Sequence, residues 1–369
     1  MTLPHHYSKR ILLAVSGMSP QIVTETLYAI AVAEKETPFI PTEVHLITTQ
    51  EGARRAKLEL LHAETGKFRE LCTDYQLSNI AFSEATIYVI ADKSGVLLDD
   101  IKTPEHNEAA ADFITDIMSQ LTRDDEAALH VSIAGGRKTM GYYLGYALSL
   151  YGRAQDRLSH VLVTEKYENL PHFFYPTPES HVIYDRDKNP LDTQLAEVML
   201  AEIPFVRLRG GIPEHLLTGK AGFSESVNFA RSFEEEPRLK IDREQLCFYA
   251  NGHKVAMTDI NFAFYCWVVK QTIELGERIS RPSEPNRDYA DSFLEVCGTL
   301  INEASDIDKT VKALKSGMEQ SWMSDRVAAI KKAFNQAIGP HAAQFYIIKS
   351  EGPNSHRFYS VPLSIGQIV

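Results

Sequence analysis

Short apolar runs alternate with longer amphipathic stretches through the first two thirds of the chain. The run "RILLAVSG" predicts a buried strand. "SPQIVTETLYAIAVAEK" predicts a helix with Ser19 as N-cap and Pro20 at the first helical position. "TEVHLITTQ" is the next strand, and "EGARRAKLELLHAETGKFRELCTDY" reads as one helix or a broken pair. "ATIYVIAD" is the third strand, "EHNEAAADFITDIMSQLTRDD" a helix, and "ALHVSIAGG" the fourth strand. "RKTMGYYLGYALSLYG" is helical, "SHVLVTEK" is the fifth strand, and "PHFFYPTP" with "HVIYD" predicts a short β addition. Strands separated by helices of this length predict βαβ units and a parallel, Rossmann-like sheet flanked by helices.

The pattern breaks at "IPFVRLRGGIPEHLLTGKAGF", read as a connector or lid. Beyond it, two short strands flank an Asn251-Gly252 turn, and a helix capped at Thr258 or Asp259 follows. "SDRVAAIKKAFNQAIG" places Val327, Ile330, Phe334 and Ile338 on one helix face, and a hairpin is expected around Gly352-Pro353-Asn354. Helix, helix, then β-hairpin is the plan of a winged helix. The expected organisation is a Rossmann-like domain over 1–205 and a connector or lid over 206–236. An α+β winged-helix-like domain with a helical and loop insertion fills 237–369.

Composition changes this picture only in places. The 369 residues are 44% hydrophobic and 24% charged, ordinary globular values. No apolar run approaches the roughly 18 residues of a membrane span, and the N-terminus lacks a signal peptide's apolar core, so a cytoplasmic protein is expected. Cys72, Cys247, Cys266 and Cys297 lie far apart with no CxxC spacing, so neither a zinc site nor a disulfide framework is indicated; no metal or cofactor is expected. Net charge is -11. Residues 1–236 hold 22 Lys and Arg against 34 Asp and Glu, whereas 237–369 hold 16 against 15. A general polyanion binder is usually basic overall. Phosphate binding in the N-terminal part therefore needs a small, locally cationic pocket.

Two loops are candidates for such a pocket. In "AGGRKT", Gly135 and Gly136 let the backbone approach a ligand, a helix N-terminus favours an anion, and Arg137, Lys138 and Thr139 add cations and a hydroxyl. The plain alternative is a tight turn with two surface cations. The P-loop and GxGxxG spacings are both absent. In "AVSGMSPQIVTE", Ser16, Gly17, Met18 and Ser19 also join a strand to a helix. First and fourth strands are often neighbours in doubly wound sheets, and ligands bind where strand order reverses, which would face both loops on one crevice. Asn107 in "LLDDIKTPEHNEAA" either caps a helix or reads a ligand base. Lys166 is a solvated lysine or reaches the ligand at the sheet edge. Arg209 and His215 share an R-x5-H spacing, but paired glycines and a proline inside it exclude a helical ribonuclease motif. An Arg207–Arg209 segment remains as a cover for a phosphate.

"LLAVSGMSPQIVTETLYAI", "DDIKTPEHN" and "SIAGGRKTMGYYLGYALSLYG", in this order and spacing, resemble the CRISPR-associated Rossmann-fold (CARF) ring nucleases over roughly residues 8–235, including the type with a C-terminal extension. The resemblance implies a homodimer binding a cyclic oligoadenylate messenger, most often cyclic tetra-adenylate, across its two-fold axis. It further implies metal-independent cleavage to linear products with 2′,3′-cyclic phosphate ends. In such cleavage a ribose 2′-OH attacks the adjacent phosphorus, so the protein orients the sugar-phosphate and stabilises charge. Lys138 is expected to stabilise that charge and Ser16 to position the 2′-OH or phosphate. Gly135, Gly136, Arg137 and Thr139 cradle phosphates, Gly17, Met18 and Ser19 line the pocket, and Asn107 contacts adenine. Alternative readings are a messenger-sensing transcription regulator acting on DNA through the winged helix, and a messenger-activated ribonuclease. The near-neutral C-terminal third, with Arg326, Lys331, Lys332, Lys349, His356 and Arg357 as its candidate contacts, is a weak basis for DNA affinity.

Overall fold

The apolar run after Ser8 forms β1 (Lys9–Ser16), buried from Ile11 to its end. The computed structural model describes residues 2–168, 170–209, 213, 216, 222–301, 307–353 and 357–369. The chain divides into two units. The first comprises 1–209 and 220–225, the second 210–219 and 226–369.

In the first unit, β1 leads to α1 (Gln21–Tyr28), which continues through one wider turn, Ala29–Ala33. Then come β2 (Glu43–Thr48), α2 (Gln50–Glu59), α3 (Lys67–Asp74) and the short β3 (Ile87–Val89). The long α4 (Pro104–Leu121), β4 (Ala127–Ser132), α5 (Lys138–Tyr151) and β5 (Arg157–Val163) complete the regular alternation. A small hairpin of β6 (Val182–Tyr184) and β7 (Pro190–Asp192) precedes β8 (Val198–Glu202). The central sheet has the order β3-β2-β1-β4-β5-β8. All neighbours are parallel except β8, which runs antiparallel along β5. The expected α/β sheet with helices is observed, and the β1–β4 adjacency is direct, with Leu13 opposite Val131.

Side chains alternate across a strand. Leu12, Ala14, Val44 and Leu46 share one core with Val23 and Leu27 of α1, Ala53 and Ala56 of α2, and Phe68 and Leu71 of α3. Ile11, Leu13 and Val15 are equally buried on the alternate positions. The "PHFFYPTP" stretch forms no strand; Phe173, Phe174 and Tyr175 are instead buried side chains of an irregular segment. The broken-pair alternative for residues 50–74 holds, with α2 and α3 as separate helices.

The corner between α5 and β5 is tied by one buried ion pair. Asp156 is fully buried and accepts from the Arg153 backbone N (2.7 Å), its Nε (3.0 Å) and its Nη2 (2.9 Å), and from Leu129 N of β4 (3.0 Å). Arg153 Nη1 also donates to the Asp124 carbonyl. Residues 222–225 return to the same unit. There Phe223 packs its ring against Tyr143 and Tyr146 of α5 at 5.0 and 5.1 Å, and Ser224 N donates to Asp112 of α4 (3.2 Å).

The second unit takes up most of α6 (Phe223–Ser232). It then forms the antiparallel strands β9 (Leu239–Asp242), β10 (Cys247–Ala250) and β11 (His253–Ala256). Asn251 and Gly252 both take positive φ (44° and 86°), which is what a two-residue hairpin turn of type I′ requires. α7 (Asp259–Val269) is apolar all round, and Phe262, Phe264, Tyr265 and Trp267 are all buried, as befits a central helix. Thr258 is its N-cap but makes no side-chain capping bond. β12 (Ile279–Ser280), α8 (Arg287–Leu300), α9 (Ile307–Ala313) and α10 (Gln320–Ala343) follow. The last strands are β13 (Lys349–Glu351) and β14 (Phe358–Ser360), in a sheet of order β12-β14-β13. Ile330, Phe334 and Ile338 are buried along α10 as their spacing predicted. Asn354 and His356, placed by the sequence in the final hairpin, lie outside the described residues.

Candidate functional site

The chain leaves β1 toward β2 and β3 on one side, then returns to place β4 and β5 on the other. Strand order therefore reverses between β1 and β4, and the loops beyond their C-terminal ends are left facing a crevice. Small residues let those loops close on each other. A Cβ on Gly17 would lie 3.4 Å from the Gly136 Cα. One on Gly135 would meet the Val15 carbonyl oxygen at 2.6 Å and Ile22 Cγ1 at 2.8 Å. Gly136 has φ of 77°, which a glycine adopts without strain. A third contributor, outside the two glycine loops of the sequence motifs, is Gly52 of α2, whose Cβ would fall 2.1 Å from Thr48 Oγ1 and 2.5 Å from the Gly17 carbonyl oxygen.

The crevice is a cleft of about 650 Å³. Gly17, Met18 and Ser19 line it from the β1–α1 loop, and Thr49 and Glu51 from the start of α2. Asp99, Asp100 and Lys102 come from the segment after β3, and Gly136, Arg137 and Met140 from the β4–α5 junction. Thr49 caps α2 by accepting from Gly52 N (3.3 Å). A strand followed by Thr, Gln, Glu and Gly was the available signal for that loop, being the same strand-to-helix pattern as its neighbour.

The electrostatics differ from a simple cationic pocket. Three carboxylates, Glu51, Asp99 and Asp100, face two cations, Lys102 and Arg137. Arg137 is already gripped by Asp100 in a two-pronged pair, Nε to Oδ1 at 3.1 Å and Nη2 to Oδ2 at 2.5 Å. The guanidinium holds the Asp100 carboxyl below the usual carboxylate range. A phosphate taking Arg137 would have to replace Asp100 on the same fork. The carboxylates remain as acceptors for hydroxyl and amino groups.

Other expected site residues are placed differently. Ser16 is fully buried, and its hydroxyl donates to the carbonyls of Gly17 (3.3 Å) and Ser19 (3.2 Å). It shapes the loop from behind and does not line the cleft. Ser19 is not the N-cap, since α1 starts at Gln21 after Pro20, without a side-chain cap. Gly135 packs behind the cleft wall. Lys138 and Thr139 open α5 and are exposed beside the lining residue Arg137. Asn107 does not cap α4, because Thr103 does, accepting from His106 N (3.2 Å). Asn107 instead donates to the Tyr143 hydroxyl at 2.5 Å and so ties α4 to α5. Lys166 is exposed in the turn after β5 and lines no part of the cleft.

Arg209 is engaged away from the cleft. Its Nη1 donates to the carbonyls of Thr122 (3.1 Å) and Tyr151 (2.8 Å), at the C-terminal ends of α4 and α5. Cations are favoured there by the helix dipole. Both helices begin at the cleft, and a helix rises about 1.5 Å per residue, so Arg209 sits a helix length from the ligand position. Arg207 likewise donates to the Arg153 and Asp156 carbonyls. The phosphate cover proposed for these arginines is therefore replaced by a structural clamp. His215 lies outside the described residues.

Among the described residues there is no cluster of potential metal ligands, and no helix is long and apolar enough to cross a membrane. A family model described as CRISPR-associated protein NE0113 (Cas_NE0113) matches residues 19–237. No curated protein matches the chain. Among solved structures, Enterococcus italicus Csm6 bound to cyclic hexa-2'-fluoro-hexa-dAMP matches at 14% identity and a TM-score of 0.27. That match covers 42% of this chain and 34% of the other, so this chain spans about a third of the Csm6 length.

Proposed function

The chain belongs to the CRISPR-associated protein NE0113 family, and from that premise we propose that it is a metal-independent ring nuclease. Its ligand is a cyclic oligoadenylate, cyclic tetra-adenylate first among them, held by a homodimer with one cleft from each subunit. The observation that carries this reading is the convergence of the β1–α1 and β4–α5 loops on one cleft, since these loops bear the motifs that resemble CARF ring nucleases.

The chemistry needs orientation more than a strong base. A ribose 2′-oxygen forms a bond to the adjacent phosphorus while the bond to the 5′-oxygen breaks. The 2′-OH gives up its proton to solvent water, and the leaving 5′-oxygen gains one from the Lys138 ammonium, which is reprotonated from water. Gly17 and Gly136 offer a backbone surface without side chains. Arg137 takes a phosphate in place of Asp100. Lys138, exposed at the first turn of α5, stabilises the phosphorane charge and protonates the leaving oxygen. Ser16 contributes by holding the Gly17–Ser19 backbone in position. Glu51 and Asp99 accept from ribose hydroxyls.

Incubation with cyclic tri-, tetra- and hexa-adenylate in EDTA, read by mass spectrometry, tests the proposal. The expected products are linear adenylates ending in 2′,3′-cyclic phosphate. Lys138→Ala should slow cleavage by about 10²-fold, the scale of one transition-state charge contact. Intact rings after a long incubation with stoichiometric protein would overturn the nuclease reading.

One observation favours a second reading. α7, β12, α8 and α10 precede a closing hairpin, and β12 pairs with its last strand. That order suits a winged helix and hence a messenger-controlled transcription regulator. It predicts that cyclic oligoadenylate changes the mobility of a promoter fragment in a gel shift while the messenger stays intact.

A further inference from the structure

Met18 and Ser19 also line a second cavity, of about 250 Å³. It is bounded by Gln21 and Glu25 of α1, Arg55 of α2, and His160 and Glu168 at β5 and the turn after it. Its size is below the roughly 300–1,000 Å³ of pockets for drug-sized ligands, and suits a single flat ring system. Its lining does not suit a phosphate, because two carboxyl groups, Glu25 and Glu168, face it. Arg55 is the one full cation, and it already leans on Glu51 (3.7 Å) and Glu59 (4.0 Å).

Two polar groups here lack partners. Among the described residues, the Glu25 carboxyl makes no hydrogen bond or ion pair. Burial first, and the nearby Glu168 second, push that carboxyl up to about 8, so it is mainly neutral at pH 7. The groups facing it are Arg55 from α2, His160 from β5 and Glu168 from the following turn. Gln21 donates its amide nitrogen to the Pro171 carbonyl (3.3 Å). Proline's carbonyl can only accept, which fixes the amide's orientation. Gln21 Oε1 is left buried without a donor.

We propose that this cavity is a base subsite, taking one adenine of the ring with the Glu25 carboxyl laid across its N1–N6 edge. The proposal rests on the cyclic oligoadenylate reading of the adjoining cleft. Adenine presents an acceptor, N1, beside a donor, the N6 amino group. A protonated carboxyl presents one O–H donor and one carbonyl acceptor, and so pairs with that edge twice. A carboxylate has acceptors only and would set an anion against the N1 lone pair. The second N6 hydrogen supplies the donor that Gln21 Oε1 lacks. Because Met18 and Ser19 border both cavities, a nucleotide with its phosphate in the main cleft can turn its base into this one.

The test is titration of the full chain with cyclic tetra-adenylate, AMP and 1-deaza-AMP from pH 6 to 9. Wild type should bind AMP and the ring about ten-fold more weakly at pH 9 than at pH 7, as the carboxyl ionises, and should bind 1-deaza-AMP about ten-fold more weakly than AMP at pH 7. Glu25→Gln keeps a donor and an acceptor at the same place, so it should retain affinity with a flat pH profile. Glu25→Leu should lose about ten-fold at pH 7 while melting as a folded protein. A wild-type profile without the loss at pH 9, or Glu25→Leu binding like wild type, overturns the subsite. If Arg137→Ala and Lys138→Ala weaken ring binding in that case, the main cleft still stands and only the subsite falls. Wild type binding neither AMP nor any ring overturns both.

Discussion

Asp156→Ala is expected to destabilise the first unit by about 3–5 kcal/mol, the usual result of removing one partner from a buried ion pair. The reason is what it leaves behind. The Arg153 side chain is almost as buried as its partner, at 6% and 0% exposure respectively. Without the carboxylate, Arg153 keeps its bond to the Asp124 carbonyl but loses its charge partner, and Leu129 N and Arg153 N lose their acceptor. Asp156→Asn should cost less, because its single carbonyl oxygen still accepts while the charge is gone. Urea unfolding of both variants checks this: the midpoint should fall in the order wild type, Asn, Ala. An Asp156→Ala protein as stable as wild type would mean that the Arg153 corner contributes little.

Gly135→Ala should abolish ligand binding with a moderate loss of stability, about 1–3 kcal/mol by analogy with overpacked cores. The new Cβ would fall 2.6 Å from the Val15 carbonyl oxygen, a backbone atom held in the β1 strand. Since β1 cannot give, the β4–α5 turn must retreat, carrying Gly136, Arg137 and the start of α5 away from the Gly17 loop. Gly95→Ala is the control, because its φ of 85° is also left-handed but nothing lies within 4 Å of its Cβ. It should cost backbone strain alone and leave binding unchanged. Affinity for cyclic tetra-adenylate alongside thermal melting separates the two. Binding retained by Gly135→Ala would count against the close approach of the two loops as the basis of the site.

The alternating apolar and amphipathic runs were enough to read the sheet, because parallel strands buried on both faces read as near-continuous apolar runs. β8 was not legible. It lies on the sheet edge, and in "VMLAE" Val198 is buried while Met199 and Leu200 are exposed, so its pairing with β5 leaves no clean period. The Gly-rich loops stood out by residue type. Their neighbours in space did not: Glu51 and Gly52 reach the cleft only because β2 lies beside β1. Arg209 misled for the opposite reason. A cation after a run of apolar residues looks available, whereas the carbonyls at two helix ends consume it. Glu25 gave little signal as one acid in the apolar helix "QIVTETLYAI". Its significance comes from its burial first, and then from Glu168, more than a hundred residues away in the chain.

The brief return of residues 222–225 bears on how such proteins exchange parts. A stop codon or crossover just after Arg209 would preserve every strand of the central sheet. It would also strip α4 and α5 of the Ser224 and Phe223 contacts. A recombination that swaps the C-terminal portion between relatives therefore has to respect a boundary beyond residue 225, and the heritable module is longer than its βαβ pattern suggests.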